Sequence, residues 1–251
     1  MRKVFMIGDS LMQDYNALSY PQFGFGQMIK PFILDDVMFL NLSKAGRSTK
    51  SFIDQKRFDD ILKIIEEGDL LIVEFGNNDE KVDDLSRYTD KDTTFLSNLN
   101  YFYTSTKEKG ADCIFITSPT RNEFDEQGHI IDTHKGYPKA MYDWCQKNNY
   151  LCYELNEESK RIYNFLGSKE VNKLHQIYEK GIYKRYPDGL NDKSHYNFKG
   201  ATFIASLIIN FLENNYKDFD KYFIKLEDAT SYNPNLKIDL INLLKMNSII
   251  K

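Results

Sequence analysis

The chain begins MRKVFMIGDSLMQDY (residues 1–15), and the fold turns on how this stretch is read. A short apolar run, Val4–Ile7, stops at Gly8-Asp9-Ser10. Glycine, a carboxylate and a small hydroxyl all favour turns for local backbone reasons, so one reading is a buried strand followed by a turn. The other is a strand whose carboxyl end presents Ser10 as a nucleophile. Choosing between them requires a base and an oxyanion site elsewhere in the chain.

Comparable runs recur at Val37–Leu40, Leu70–Phe75, Cys113–Thr117 and Tyr150–Tyr153, each bounded by polar or turn residues. Between them, apolar residues return at steps of three and four. Phe58, Ile61, Leu62 and Ile65 form one such set; Phe95, Leu99 and Phe102, followed by Thr106, form another. Strands alternating with helices predict an α/β domain, a parallel sheet covered by helices on both faces. Leu70-Leu71-Ile72-Val73 carries no polar alternation, as a doubly covered strand requires.

Three longer connections, Asp79–Thr93, Pro119–Gly136 and Gly167–His195, are rich in charge, glycine and tyrosine, and such loops build the site in open α/β sheets. His175 falls in a stretch that reads as helical, and Asn197–Asn214 reads as a final amphipathic helix. Beyond Tyr216 the spacing of Ile238, Leu240, Ile241, Leu243 and Leu244 predicts one more helix. The expected organisation is one domain over residues 1–216, with residues 217–251 a helical extension packed on it.

Composition narrows the function. A chain of 251 residues can bury one sizeable core, and 41% hydrophobic with 28% charged residues describes an ordinary globular protein. The net charge of −4, with no block of like charges, argues against nucleic acid or an anionic membrane as partner. Cys113, Cys145 and Cys152 are odd in number and lack C-x-x-C spacing, so buried free thiols are expected rather than disulfides or a zinc site. The longest apolar run, Phe203–Ile209, is too short to span a bilayer. Met1-Arg2-Lys3 leads straight into the first strand, from which a cytoplasmic location is expected unless a leader precedes it.

Acyl transfer needs a nucleophile, a base oriented by a third group, and donors aimed at the developing oxyanion. Ser10 suits the first role and His195 the second, with Asp192 three residues earlier to fix the imidazole tautomer. The N–H groups of Ser10 and Gly46 and the amide of Asn78 suit the oxyanion. Each piece also has a plain reading: Asp192 as a helix cap, Gly76-Asn77-Asn78-Asp79 as a strand-exit turn. Order and placement favour the chemistry, because all four blocks fall at predicted strand ends or just before a helix. His129, His134 and His175 have no carboxylate at comparable spacing. The His129/His134 pair does not fit H-E-x-x-H, and no metal or other cofactor is expected.

Gly8-Asp9-Ser10, Gly46, Gly76-Asn77-Asn78-Asp79 and Asp192-Lys193-Ser194-His195 resemble the four blocks of the SGNH (GDSL) hydrolases. The resemblance implies a three-layer α/β/α, flavodoxin-like fold with a five-stranded parallel sheet, and maps the four name-giving residues onto Ser10, Gly46, Asn78 and His195. Within that superfamily YPQFGFGQM, AGRSTKSFID, EFGNNDEK, SPTRNEFDEQG, THKGYP and DKSHYNFKGA resemble rhamnogalacturonan acetylesterases, carbohydrate esterase family 12, over roughly Lys3 to Asn214. This implies removal of acetyl groups from pectic oligosaccharides without a metal. Alternatives are an esterase for xylan-type or other acetylated sugars, and a non-catalytic carbohydrate-binding protein. Expected substrate contacts are Asp9, Tyr15, Phe25 and Tyr196 beside the catalytic blocks, and His134 in THKGYP. Arg47 and Arg121 would pair with a uronate carboxylate.

Overall fold

In the computed structural model, which describes residues 1–229, the opening run is strand β1 (Lys3–Ile7), an interior strand of a parallel sheet. Its partners are β2 (Met38–Asn41), β3 (Leu70–Val73), β4 (Asp112–Ile116) and the two-residue β5 (Cys152–Tyr153). The five-stranded order is β2-β1-β3-β4-β5, every neighbour parallel. This is the flavodoxin-like order, in which the chain reverses direction across the sheet between β1 and β3 and leaves a crevice at their carboxyl ends.

Alternation along the central strands divides the core in two. Val4, Met6, Leu70, Ile72, Ile114 and Ile116 face α5 (Leu155–Leu166) and α7 (Phe198–Asn215), which contribute Ile162, Tyr163, Ala201, Ile204 and Ile208. Phe5, Ile7, Leu71, Val73 and Phe115 face the other way. They meet α1 (Thr49–Asp54), α2 (Arg57–Leu62), α3 (Thr94–Glu108) and α4 (Tyr137–Asn148) through Phe52, Phe58, Phe95, Phe102 and Met141. Both faces are covered, giving the three-layer α/β/α architecture that the alternating pattern predicts. After α5, the short α6 (Ser168–Val171) leads into an antiparallel hairpin.

That hairpin corrects one expectation. His175 does not lie in a helix; it begins β6 (His175–Tyr178), which pairs with β7 (Leu190–Tyr196). Asp192 and His195 therefore stand on a strand. Past Tyr216 the described residues stay on the domain: Phe219, Tyr222, Phe223 and Leu226 join the core cluster on the α5/α7 face, and the last described element is α8 (Leu226–Ala229). The helix expected around residues 238–244 lies outside the described residues.

Candidate active site

The loop after β1 is shaped by what it must approach. A Cβ on Gly8 would sit 2.8 Å from the carbonyl oxygen of Glu74, just past β3, closer than a real Cβ comes, so only glycine fits. Asp9 is fully buried, and its Oδ1 accepts from the Leu11 N–H at 2.9 Å, closing the turn that carries Ser10. The Tyr15 hydroxyl donates to the Ser10 carbonyl at 2.9 Å, and the Phe25 N–H to the Leu11 carbonyl at 2.8 Å.

The loops after β2 and β3 are tied to one another. Gly46 takes φ +76°, a backbone state that side chains rarely adopt, and the Ser48/Ser51 capping box then starts α1. At the head of α1 the Thr49 N–H donates to the buried Asp79 at 3.1 Å, and Thr89 Oγ1 donates at 3.0 Å. Burial pushes the Asp79 carboxyl up to about 7 even with these donors, and lifts Glu74 well above its ordinary value. Asn78 donates both amide hydrogens, to Asp9 Oδ2 at 3.1 Å and to the Arg47 carbonyl at 3.0 Å. Its Oδ1 accepts from Arg87 Nη1 at 3.1 Å. With a donor-only guanidinium on one side and acceptors on the other, the amide has one favourable orientation. Among the described residues the Ser10 and Gly46 N–H groups have no internal acceptor.

The hairpin supplies the remaining groups. Pairing runs Gln176 to Asp192 and then His175 to Tyr196, so Lys193, Ser194 and His195 bulge out of the ladder. Asp192 Oδ1 holds the bulge by accepting from the Ser194 and His195 N–H groups at 2.9 and 3.0 Å. Its Oδ2 lies 2.7 Å from His195 Nδ1, and His195 Nε2 lies 2.9 Å from Ser10 Oγ. Nδ1–H donating to the carboxylate leaves Nε2 free to accept the serine proton. Burial works to raise Asp192, but the His195 hydrogen bond and charge outweigh it and hold the carboxyl down to about 2. Burial likewise works to lower His195, and the Asp192 hydrogen bond and charge overcome it, leaving the imidazole above its ordinary value.

Ser10, Gly46, Asn78, Asp192 and His195, far apart in sequence, thus converge at the sheet's carboxyl end. The expected substrate contacts do not all join them. Phe25 and Tyr196 are buried in the core, Tyr196 with its ring centroid 4.7 Å from that of His175. His134 is fully buried; its Nε2 lies 3.1 Å from the Pro119 carbonyl, and burial drives its pKa down to about 3. Asp9 faces Leu11 and Asn78 rather than solvent. Arg121 is committed internally, donating at 2.6 Å to both Asn77 Oδ1 and Glu80 Oε1. All five turn inward, Phe25, His134 and Tyr196 by burial and Asp9 and Arg121 onto internal hydrogen-bond partners. Tyr15 and Arg47 remain half-buried at the surface. Arg87, which orients Asn78, was not anticipated: nothing in the charged Asp79–Thr93 loop distinguishes it from a solvated cation.

An α/β/α sheet with a serine, an imidazole and a carboxylate hydrogen-bonded in series at its carboxyl end is the arrangement of an ester hydrolase. The chain belongs to the GDSL-like lipase/acylhydrolase family, which matches residues 4–208. It is 34% identical over 211 residues to the rhamnogalacturonan acetylesterase RhgT of Bacillus subtilis, covering 84% of this chain and 89% of that one. It is 30% identical over 205 residues to the probable rhamnogalacturonan acetylesterase YesY of the same organism, covering 82% and 89%. Among solved structures, the Bacillus subtilis protein YxiM superposes with a TM-score of 0.70 at 23% identity, over 85% of this chain and 56% of that one. Axe2, an acetylxylan esterase from Geobacillus stearothermophilus, superposes with a TM-score of 0.58 at 13% identity, over 84% and 94%. At such identities the two structures speak for the fold alone.

Proposed function

We propose that this protein is a carbohydrate acetylesterase that removes acetyl groups from pectic, rhamnogalacturonan-type oligosaccharides through an acetyl-serine intermediate. The observation that carries the chemistry is the continuous hydrogen-bonded series Ser10 Oγ, His195 and Asp192, at 2.9 and 2.7 Å. The identity of 34% to a rhamnogalacturonan acetylesterase, spread over most of both chains, supports the substrate class.

In this reading Ser10 Oγ attacks the acetyl carbonyl while His195 Nε2 takes its proton, and Asp192 stabilises the imidazolium. The tetrahedral oxyanion is received by the N–H groups of Ser10 and Gly46. Asn78 joins them by turning one amide hydrogen away from its present acceptor, Asp9 or the Arg47 carbonyl. His195 returns the proton to the departing sugar hydroxyl, and water then repeats the cycle on the acetyl-enzyme.

The test is acetate release from acetylated rhamnogalacturonan oligosaccharides, compared with acetylated xylo-oligosaccharides, by the unmodified chain and by Ser10→Ala. Release preferring the pectic substrate and abolished in Ser10→Ala is expected. Turnover surviving in Ser10→Ala would end the mechanism, and a preference for xylan-type substrate would end the substrate assignment.

A further inference from the structure

Beside the oxyanion loop lies an open cavity of about 400 Å³, lined by Gly46, Arg47, Lys50, Asp54, Gln55 and Arg87 among others. Three cations and one carboxylate face it. Arg87 is paired with Asp84 at 2.6 Å, but the others rest on neutral acceptors. Lys50 Nζ donates to the Leu85 carbonyl at 2.6 Å, and Arg47 donates to the Ala45 carbonyl at 2.9 Å. Arg47 Nε and Arg57 Nε both donate to the same oxygen, Gln55 Oε1, at 2.8 and 3.1 Å. A neutral amide oxygen thus stands between two guanidiniums, where a carboxylate would have balanced their charge. Burial, then the like charges of Arg57 and Arg87, pull the Arg47 guanidinium below its ordinary value. Among the described residues no ion pair reaches Arg47, Lys50 or Arg57.

Asp54 lines the cavity but pairs with none of these cations among the described residues, and like charges left without an ion-paired counter-charge favour an anion that completes the set. Two walls of the cavity belong to the catalytic site: Gly46, and Arg87 through its bond to Asn78. We propose that this cavity is the subsite for the carboxylate of an acidic sugar unit near the acetylated one, held by Arg47 and Lys50 with Gln55 keeping the arginine pair uncompensated. A planar carboxylate matches the guanidinium fork, so the site favours a uronic acid over a neutral sugar. This assignment rests on the acetylesterase reading and names the substrate feature that it recognises.

Binding is measured by calorimetry in Ser10→Ala protein, so no turnover is needed, with trigalacturonate, xylotriose and inorganic phosphate as probes. Trigalacturonate is expected to bind more tightly than xylotriose. That preference should fall about fivefold in Lys50→Gln, the upper end for one solvent-exposed charge contact. It should fall further in Gln55→Glu, whose new carboxylate occupies both arginines from within. Both positions lie at the surface, and circular dichroism confirms that each variant is folded. An absent preference, a preference that survives both substitutions, or phosphate binding as tightly as trigalacturonate would overturn the subsite. Failure of the esterase reading is a separate result: no hydrolysis of 4-nitrophenyl acetate by the unmodified chain.

Discussion

The two sides of the site are built by opposite means. Ser10, Gly46 and Asn78 leave the carboxyl ends of β1, β2 and β3, and the acids behind them, Asp9, Glu74 and Asp79, are fully buried. Asp192 and His195 stand on a hairpin with side chains 28% exposed, held by each other and by the backbone of their own bulge. The contrast shows in the acids. Burial wins on the sheet side and raises Asp9, Glu74 and Asp79; hydrogen bonding wins on the hairpin side and lowers Asp192. The sheet side is therefore a rigid platform whose polar groups are costly to disturb. The hairpin side carries the proposed base, and its groups are expected to be cheaper to change structurally than chemically.

The largest expected effect follows from that difference. Asp192→Asn should lower kcat by about 10³–10⁴-fold by favouring the wrong imidazole tautomer. Because the replacing amide oxygen can still accept from the Ser194 and His195 N–H groups, unfolding stability should fall by only about 1 kcal/mol, the difference between a charged and a neutral acceptor. Asn78→Ala should lower kcat less, by about 10²–10³-fold if it removes the proposed oxyanion donor. It should also lower stability by about 1–3 kcal/mol, since it removes a hydrogen-bond donor from buried Asp9. Steady-state kinetics and urea melts on both variants test the comparison. Equal stability losses would erase the distinction between platform and base.

Arg87→Gln probes the platform one step farther out. Without the guanidinium on Asn78 Oδ1, the amide loses the donor that sets its orientation. On 4-nitrophenyl acetate, a neutral substrate too small to depend on the cationic cavity, kcat should fall about tenfold with KM little changed, as for a lost hydrogen bond from a charged donor. Arg87→Lys should recover part of the loss. A change confined to KM would assign Arg87 to substrate binding instead.

The same division explains what was legible in the sequence. Runs such as Leu70–Val73 announce themselves because a strand covered on both faces must be apolar throughout, and α3 and α7 follow from regular spacing of core residues. LNDKSHY (Leu190–Tyr196) has no such signature: it is polar, pairs with one short partner, and breaks register to extrude His195. Periodicity reports packing, and an extruded residue is one that packing does not claim. The residues of the four motif blocks, which the fold brings together, could be picked out because the proposed chemistry needs specific side chains. The inward turn of Phe25, His134 and Tyr196 could not, since adjacency in a loop leaves side-chain direction to the tertiary core. Arg87 was hidden for a related reason, being one cation in a charged loop whose partner lies across a turn.

The smallest expected effect is a displacement in pH, and it isolates the hairpin from the platform. In the proposed mechanism His195 must be neutral to accept the Ser10 proton, so kcat/KM is expected to fall as pH drops through its pKa. The Asp192 partnership raises that pKa, which places the acid limb above the ordinary imidazole value of about 6.5. The stability linkage runs the other way: a raised imidazole stabilises the fold fully below about 6.5, and that contribution is lost as pH rises through the folded-state pKa. The protein should therefore gain activity over the same interval in which it gives up this part of its stability. In Asp192→Asn the main raising influence is gone while burial, which lowers the imidazole, remains, so the acid limb should move to lower pH as the rate falls. Asn78→Ala leaves the His195–Asp192 contact untouched and should keep the limb in place. Profiles of kcat/KM against pH for the three proteins decide it. If the limb moves in Asn78→Ala and stays fixed in Asp192→Asn, the titration governing activity belongs to the buried acids of the platform and not to the hairpin imidazole.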